Sequence, residues 1–172
     1  MKAVITGGGT GGHIYPALSV ADKLAEKDWE IKYFGNSDSL EEDIIEDTDY
    51  DFQAVKVLPL PRSLNFKLFK SVFISLKAVI TSYKLLKKIK PDVVFGTGGY
   101  VTGPILLAAY LNRIPTVIHE QNIYPGITNK LLAFFVNKIA VNNIEAARYF
   151  TGKAKNKIIE TGNPIRSEII DT

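Results

Sequence analysis

The chain has 172 residues, of which 46% are hydrophobic and 23% charged, a composition that fits one globular domain and excludes a disordered or fibrous chain. It has no cysteine and only two histidines, which excludes a disulfide framework and a thiolate metal site and argues against a protein-only zinc site. No apolar run is long enough to span a bilayer, and the N-terminus lacks the apolar stretch of a signal peptide. We therefore expect a soluble or peripheral domain, compatible with a cytosolic compartment.

Charge is unevenly distributed along the chain, although the formal net charge is only +3. Residues 38–51 are rich in aspartate and glutamate and contain no basic residue. Residues 62–90 contain many lysines and no acidic residue. One region of the molecule is therefore expected to be much more positive than another.

Short apolar segments alternate with helical patterns along most of the chain. The strand candidates are Ala3–Ile5, Ile31–Phe34, Phe52–Val57, Val93–Phe95, Thr116–Ile118, Lys138–Val141 and Ile158–Glu160. Alternation of this kind predicts an α/β fold in which a parallel sheet carries helices on both faces.

A glycine-rich loop between Thr6 and Pro16 joins the first strand to a helical pattern at 17–24. Glycines let a backbone turn tightly and approach a ligand, and the amides at a helix N-terminus carry positive partial charge. An anion, first of all a phosphate or diphosphate, is the ligand that such a loop favours.

A second glycine loop, Gly96–Gly99, and a polar corner, His119–Asn122, follow later strands of the same predicted sheet. The carboxyl ends of parallel strands lie at one edge of a sheet. These loops could therefore share one ligand cleft with the first.

The first loop also fits the dinucleotide fingerprint G-x-G-x-x-G at Gly7, Gly9 and Gly12, a pattern that is weak by itself. The acidic residue that this fingerprint places at the end of the second strand is missing, because Gly35-Asn36 stands there. No Lys-Ser/Thr pair follows the glycines, so a Walker P-loop is excluded.

Asp49-Tyr50-Asp51 resembles the D-x-D motif that holds a metal and a nucleotide diphosphate in some glycosyltransferases. It lies inside the acidic run, and we interpret it as part of a solvated surface. The preceding residues 36–46 are likewise predicted to form a capped, exposed helix without further function.

Residues 64–89 form a helical pattern with two apolar faces. One apolar stripe is predicted to face the core: Leu64, Leu68, Val72, Leu76, Val79, Tyr83 and Leu86. Large apolar side chains also fall among the lysines on the other face, a pattern that suits an anionic membrane surface. A core helix with solvated lysines is the alternative.

His13 directly follows the first glycine loop, where a neutral imidazole could remove a proton from a hydroxyl beside a bound phosphate, or could simply cap or pack. His119 ends a strand beside Glu120 and is expected to orient the following loop. No serine has the glycine-flanked turn of a hydrolase nucleophile, so covalent acyl chemistry is unsupported.

Four motifs that together span nearly the whole chain resemble the MurG family of N-acetylglucosaminyltransferases. They are Gly8-Gly9-Thr10-Gly11-Gly12-His13 with Pro16-Ala17-Leu18, then Gly98-Gly99-Tyr100-Val101 with Gly103-Pro104, then His119-Glu120-Gln121-Asn122 with Pro125-Gly126 and Thr128-Asn129-Lys130, and finally Gly162-Asn163-Pro164-Ile165-Arg166. The resemblance implies the Rossmann-like N-terminal domain of a GT-B glycosyltransferase, which has its active cleft between two domains and needs no obligatory metal or cofactor.

The resemblance also implies an activity and site residues. The activity is inverting transfer of GlcNAc from UDP-GlcNAc to the C4 hydroxyl of MurNAc in lipid I, which gives lipid II in peptidoglycan synthesis. His13 is the candidate general base, and Glu120 is a second candidate base or an orienting carboxylate. The sugar nucleotide is expected near Thr10, Gly11, Gly12, Asn122 and Arg166, and the acceptor diphosphate near Gly9, Gly98, Gly99 and Tyr100.

Because the lipid acceptor of this family stays in the membrane, the resemblance favours the membrane interpretation of helix 64–89. The predicted docking face consists of Phe66, Lys67, Phe69, Lys70, Phe73, Lys77, Ile80 and Lys84. The protein is then expected at the cytoplasmic face of the bacterial membrane as a peripheral protein, with anionic lipid and no nucleic acid among its partners.

By the same resemblance, residues 1–163 form the acceptor-side and membrane-side domain, and residues 164–172 begin the interdomain junction. The C-terminal donor-binding domain, the remaining partner, is then absent, and the chain alone is expected to be inactive. Two other interpretations stay open: an acceptor-binding, membrane-anchoring subunit of a split glycosyltransferase, and a dinucleotide-binding module.

Overall fold

The computed structural model describes residues 1–59, 61 and 66–165, with residues 66 and 67 described by their backbone alone. The strands are β1 Lys2–Thr6, β2 Glu30–Gly35, β3 Asp51–Ala54, β4 Val93–Gly96, β5 Thr116–Glu120, β6 Lys138–Val141 and β7 Ile158–Glu160. The helices are α1 Gly11–Ala25, α2 Leu40–Glu46, α3 Phe66–Ile89, α4 Thr102–Leu111 and α5 Ile127–Leu132, followed by 3₁₀ segments at Ile144–Tyr149 and Gly152–Lys157. Within these described residues, no helix is both long and apolar enough to cross a membrane.

All these strands belong to one parallel sheet with the order β3-β2-β1-β4-β5-β6-β7. The sheet divides the core in two, because alternate residues of a strand point to opposite faces. Ala3 and Ile5 of β1 pack with α1 and α2, whereas Val4 packs with α3, α4 and α5. The predicted parallel sheet with helices on both faces is therefore confirmed.

The strand order reverses beside β1, since β2 and β3 follow on one side and β4 to β7 on the other. In open α/β sheets, ligands bind at such a switch point, outside the carboxyl ends of the strands. Thr6 and Gly96, the last residues of β1 and β4, pair with each other there. Both glycine loops therefore leave the sheet side by side.

Helix α3 buries only part of the predicted stripe: Leu86 is buried, and Val79 and Tyr83 pack against the core as predicted, while Leu64 lies outside the described residues. Its buried positions include Ser71, Ala78, Ser82 and Leu86. The prediction that Val72 and Leu76 face the core is wrong, because their side chains are 43% and 58% exposed. The helix packs against α4, and small side chains take three of its buried positions while larger apolar groups face outward.

The acidic segment after β2 is only partly the solvated surface that was predicted. Glu41 and Ile45 of α2 are fully buried, so the prediction of a plain exposed helix is wrong there. Asp51 begins β3 and therefore lies at the edge of the sheet opposite the glycine loops, where it pairs with Lys32. That position supports the interpretation of Asp49-Tyr50-Asp51 as surface.

Candidate active site

The two glycine loops touch each other through their backbones. The Gly8 amide donates to the Gly98 carbonyl at 3.4 Å, and the Thr97 amide donates to the Thr6 carbonyl at 3.0 Å. A Cβ atom on Gly99, whose φ is +85°, would lie 2.1 Å from the Gly8 carbonyl oxygen. Only glycine allows both this left-handed conformation and this distance, so the contact explains the residue type.

His13 lies in the first turn of α1 and is oriented by the second loop. Its Nδ1 lies 2.9 Å from the Thr97 carbonyl oxygen, and the Thr97 hydroxyl donates to the His13 carbonyl at 2.6 Å. A carbonyl oxygen can only accept, so Nδ1 must carry the proton of the neutral imidazole. In the described part of the chain Nε2 has no hydrogen-bond partner, and its lone pair is available as a base.

The backbone amides at the N-terminus of α1 are free to bind a ligand. Among the described residues, the amides of Thr10, Gly11 and Gly12 have no acceptor, and Thr10 caps the helix without a side-chain hydrogen bond. The Gly9 amide, in contrast, donates to Glu41 Oε2 at 3.1 Å. An anion at this loop would therefore meet the amides of Thr10 to Gly12 together with the positive end of the helix dipole.

Glu120 is almost completely buried at the end of β5, and its carboxylate is fully occupied. Oε1 accepts from the amide and the side chain of Asn122, at 3.0 and 3.1 Å. Oε2 accepts from the Gly126 amide at 3.0 Å and from Asn129 Nδ2 at 2.9 Å. This geometry holds the loop after β5 and leaves no free lone pair for proton abstraction, which favours the orienting role over the base.

His119 lies behind the same loop. Its Nε2 is 2.9 Å from the Gly162 carbonyl and must donate to it, which connects the loop after β5 to the end of β7. Burial lowers the pKa of His119, although the Gly162 carbonyl and the Glu120 charge act in the opposite direction. The ring hydrogen bond gives the imidazole a structural role, in line with the sequence-based interpretation.

A cleft of about 440 Å³ opens in front of these elements. It is lined by Thr10, Gly12, His13, Pro16, Gln121, Asn122 and Asn163. The structure thus brings residues from the ends of β1, β5 and β7 to one cavity. Of the predicted site residues, four line this cleft, whereas Gly9, Gly11, Gly98, Gly99, Tyr100 and Glu120 do not.

Gln121 was not assigned a role from the sequence, although it lies between Glu120 and Asn122. Its Nε2 donates to the Thr97 carbonyl at 3.0 Å, the same oxygen that holds His13. Its place between two predicted site residues was the only sequence signal for a role at the site. Spacing along the chain could not predict that Gln121 and His13 share the Thr97 carbonyl, because Thr97 follows a different strand.

Tyr100 and Gly98 both lie close to the first glycine loop or to the histidine that follows it. A Cβ on Gly9 would lie 3.1 Å from the Tyr100 ring, and one on Gly98 would lie 3.0 Å from His13 Cε1. Burial raises the pKa of the Tyr100 hydroxyl, and the nearby Glu41 charge adds to the effect. Arg166 lies outside the described residues.

The predicted docking face on α3 is exposed wherever its side chains are described. Phe69, Phe73 and Ile80 are 76%, 59% and 57% exposed, and Lys70, Lys77 and Lys84 are exposed as well. Lys77 Nζ lies 4.6 Å from the centroid of the Phe73 ring. The side chains of Phe66 and Lys67 lie outside the described residues.

Comparison with known proteins adds sequence relatives to this geometry. The family described as "Glycosyltransferase family 28 N-terminal domain" matches residues 3–141. The UDP-N-acetylglucosamine--N-acetylmuramyl-(pentapeptide) pyrophosphoryl-undecaprenol N-acetylglucosamine transferase of Halothermothrix orenii is 55% identical over 172 residues, which are 100% of this chain and 46% of that protein. The Clostridioides difficile protein of the same name is 41% identical over 99% of this chain and 42% of its own length. The chain therefore spans less than half the length of these curated relatives.

Solved structures resemble the chain in the same way. Acinetobacter baumannii MurG superposes with a TM-score of 0.80 at 27% identity, over 99% of this chain and 48% of that one. The UDP-GlcNAc 2-epimerase of Neisseria meningitidis bound to UDP-GlcNAc has a TM-score of 0.70 at 14% identity, over 95% of this chain and 46% of that one. The second likeness shows the fold alone.

Proposed function

Because this chain belongs to glycosyltransferase family 28, whose N-terminal domain it carries, we propose that it is the N-terminal half of an N-acetylglucosaminyltransferase of peptidoglycan synthesis. The resemblance to the MurG family and the GT-B class of the fold are confirmed by the relatives and by the A. baumannii structure. One observation carries the proposal: 55% identity, over the whole chain, to a transferase of that name. The reaction moves GlcNAc from UDP-GlcNAc to the C4 hydroxyl of MurNAc in lipid I, and the products are lipid II and UDP.

His13 is the proposed general base. The Thr97 carbonyl holds Nδ1 in its protonated form, so Nε2 takes the proton of the C4 hydroxyl as its oxygen attacks the anomeric carbon. The bond from that carbon to the UDP oxygen breaks on the opposite side. The configuration inverts to a β-1,4 linkage, and UDP leaves with the electron pair.

The free amides at the start of α1 are the proposed contact for the sugar-nucleotide phosphates. Thr10 and Gly12 line the cleft with His13, so an anion bound there would lie next to the base. Asn122 lines the same cleft and is held by Glu120. Gly98, Gly99 and Tyr100, with Gly9 beside them, are proposed to face the acceptor diphosphate, and Arg166 the donor. The Gly9 amide itself is already bonded to Glu41 and is not proposed as a donor to that diphosphate.

The rest of the site is proposed to come from a second domain. Residues 1–163 would form the acceptor-side domain, residues 164–172 the start of the junction, and a C-terminal domain would bind the donor. The short coverage of the relatives supports this division. We expect no transfer by the 172-residue chain alone, and measurable turnover without a second domain would contradict the half-enzyme proposal.

Two variants of the full-length enzyme test the proposed base. His13→Ala removes the imidazole, whereas His13→Asn keeps an amide donor for the Thr97 carbonyl and lacks a basic nitrogen. Both should lower kcat on a lipid I analogue by about 10²–10⁴-fold, the usual contribution of a general base. Their affinity for UDP-GlcNAc, measured by calorimetry, should stay close to that of the unsubstituted enzyme. Near-normal turnover of His13→Asn would move the base to another group.

An anionic membrane surface is the proposed partner of the helical layer α3, α4 and α5. No acidic residue occurs at 62–90, 93–119 or 121–144, so the only charges on these helices are the lysines of α3 and α5. The corrected packing of α3 adds Val72 and Leu76 to the exposed Phe69, Phe73 and Ile80. Apolar groups among lysines suit the interface of an anionic bilayer, which would place the enzyme at the cytoplasmic face of the bacterial membrane.

Liposome sedimentation tests this partner. Replacing Phe69 and Phe73 by serine should lower binding to vesicles with anionic lipid. The matched control replaces Ile144 and Ile159 by serine, since these exposed side chains lie outside the layer and are 52% and 48% exposed. Unchanged binding of the folded phenylalanine variant, or an equal loss in the control, would place the docking surface elsewhere.

The dinucleotide alternative is less well supported by the site. The Gly9 amide already has an internal acceptor, and the end of β2 has no acidic side chain. Binding of NAD or FAD in a calorimeter would bring this alternative back.

The split-subunit alternative depends on the fact that the chain spans less than half the length of its relatives. Restored turnover on adding a separate donor-binding chain would support it.

A further inference from the structure

Glu41 is a fully buried carboxylate directly beneath the first glycine loop. Its Oε2 accepts from the Gly9 amide at 3.1 Å, and its Oε1 accepts from the Asn36 amide at 3.2 Å. None of the ion pairs in the described part of the chain includes Glu41. A buried carboxylate is costly unless it is paired or hydrogen-bonded, and here backbone amides take that role.

The chain leaves room for this carboxylate by omitting side chains around it. A Cβ on Gly8 would lie 2.4 Å from Glu41 Oε1, and one on Gly35 would lie 2.9 Å from Glu41 Cγ. The loop after β1 and the end of β2 therefore form a cavity that the Glu41 side chain fills. This fit explains the glycine at position 8, whereas at Gly35 the Phe52 ring, 2.5 Å from an added Cβ, is an additional reason.

The charge of Glu41 affects the pKa of two tyrosines that contact the loop. Burial, and then the Glu41 charge, raise the pKa of both Tyr33 and Tyr100. Tyr33 donates its hydroxyl to the Gly7 carbonyl at 2.6 Å, and the Tyr100 ring packs beside Gly9. The carboxylate thus lies at the centre of the contacts that set the loop conformation.

We propose that Glu41 is a positioning residue that serves as an internal anion for the glycine loop. By taking the Gly9 amide, it leaves Thr10, Gly11 and Gly12 as the amides that meet a phosphate of the substrate. It also places a negative charge beside the Gly9 amide, which disfavours a second anion at that amide. The inference rests on the proposed function for the identity of that substrate, but the contact itself is a property of this chain.

Amide NMR of the 172-residue chain tests the contact with inorganic diphosphate as the probe. At millimolar diphosphate, the amide resonances of Thr10 to Gly12 should shift and that of Gly9 should not. Glu41→Gln should accelerate hydrogen exchange of the Gly9 amide by at least about tenfold, because its acceptor is weakened. A shift centred on Gly9, no shift at Thr10 to Gly12, or unchanged exchange at Gly9 would overturn the proposal.

Kinetics of the full-length enzyme separate positioning from mere stability. Glu41→Gln should lower kcat/KM for UDP-GlcNAc by about ten- to a hundredfold, the cost of a misplaced binding group, while KM for the acceptor changes little. Ile45→Ala is the matched control, because Ile45 is equally buried on α2 and its apolar side chain packs in the core cluster without a hydrogen-bonding group. Equal losses in the two variants would overturn the positioning role. If the unsubstituted enzyme did not transfer GlcNAc, the proposed function would fail, while amide exchange at Gly9 would still report on Glu41.

Discussion

Replacing Gly99 by alanine perturbs the contact between the two glycine loops. Gly99 has a φ of +85°, and its added Cβ would lie 2.1 Å from the oxygen and 3.0 Å from the carbon of the Gly8 carbonyl. The left-handed conformation costs an L-residue about 1–2 kcal/mol, and overpacking that shifts the backbone costs about 1–3 kcal/mol more. We therefore expect the free energy of unfolding to fall by about 2–5 kcal/mol.

Two other glycines separate the contributions to that loss. Gly152 has a φ of +56° and nothing within 4 Å of its added Cβ, so Gly152→Ala should cost only the conformational strain of about 1–2 kcal/mol. Gly126 also has nothing within 4 Å, and its φ of −61° suits any residue. Gly126→Ala should stay within about 0.5 kcal/mol of the unsubstituted chain.

Urea unfolding of the 172-residue chain, followed by circular dichroism, measures these differences at constant m-value. The expected order of unfolding midpoints is Gly126→Ala, then Gly152→Ala, then Gly99→Ala as the lowest. If Gly99→Ala and Gly152→Ala unfolded at the same urea concentration, the backbone contact between the loops would be refuted.

Further predictions concern the buried polar groups around the site, and the same urea assay checks them. Tyr33→Phe removes the donor 2.6 Å from the Gly7 carbonyl and should cost about 1–3 kcal/mol, so an unchanged midpoint would contradict that bond. Glu120→Gln places an amide donor against groups that donate to the carboxylate and should cost about 3 kcal/mol, whereas the exposed Glu145→Gln should cost far less. Because burial holds the pKa of His119 below its ordinary 6.5, the unfolded chain binds this proton more readily. Protonation of His119 therefore favours the unfolded chain, so the free energy of unfolding has its full value above pH 6.5 and declines as the pH falls below 6.5. His119→Asn should abolish this part of the decline.

Much of the sheet edge could be predicted because its signals are local. Apolar segments of strand length alternate with helical patterns, and glycine loops follow β1 and β4 directly. General rules for parallel sheets then bring those loops to the same edge without further information. The structural role of His119 was predicted in the same way from its place at a strand end.

The packing of α3 was not predictable from its own residues. Leu64 to Leu86 and the phenylalanines form two apolar stripes, and a helical wheel does not show which one meets a neighbour. The decision depends on neighbours such as α4, against which the helix packs, and small side chains take three of its buried positions, Ser71, Ala78 and Ser82. As a result, Val72 and Leu76 join the exposed face.

By itself, the sequence determined the succession of strands and helices along the chain, the glycine loops and, through their motifs, the candidate base, because each depends on residues that are neighbours in the chain. Only the tertiary structure decided how those parts act on each other. The Thr97 carbonyl, in the loop after β4, selects the tautomer of His13 in α1. Glu41, which lies within the acidic run, accepts from the Gly9 amide. Such hydrogen bonds join residues far apart in sequence, and their distances exist only once the sheet has brought the loops together.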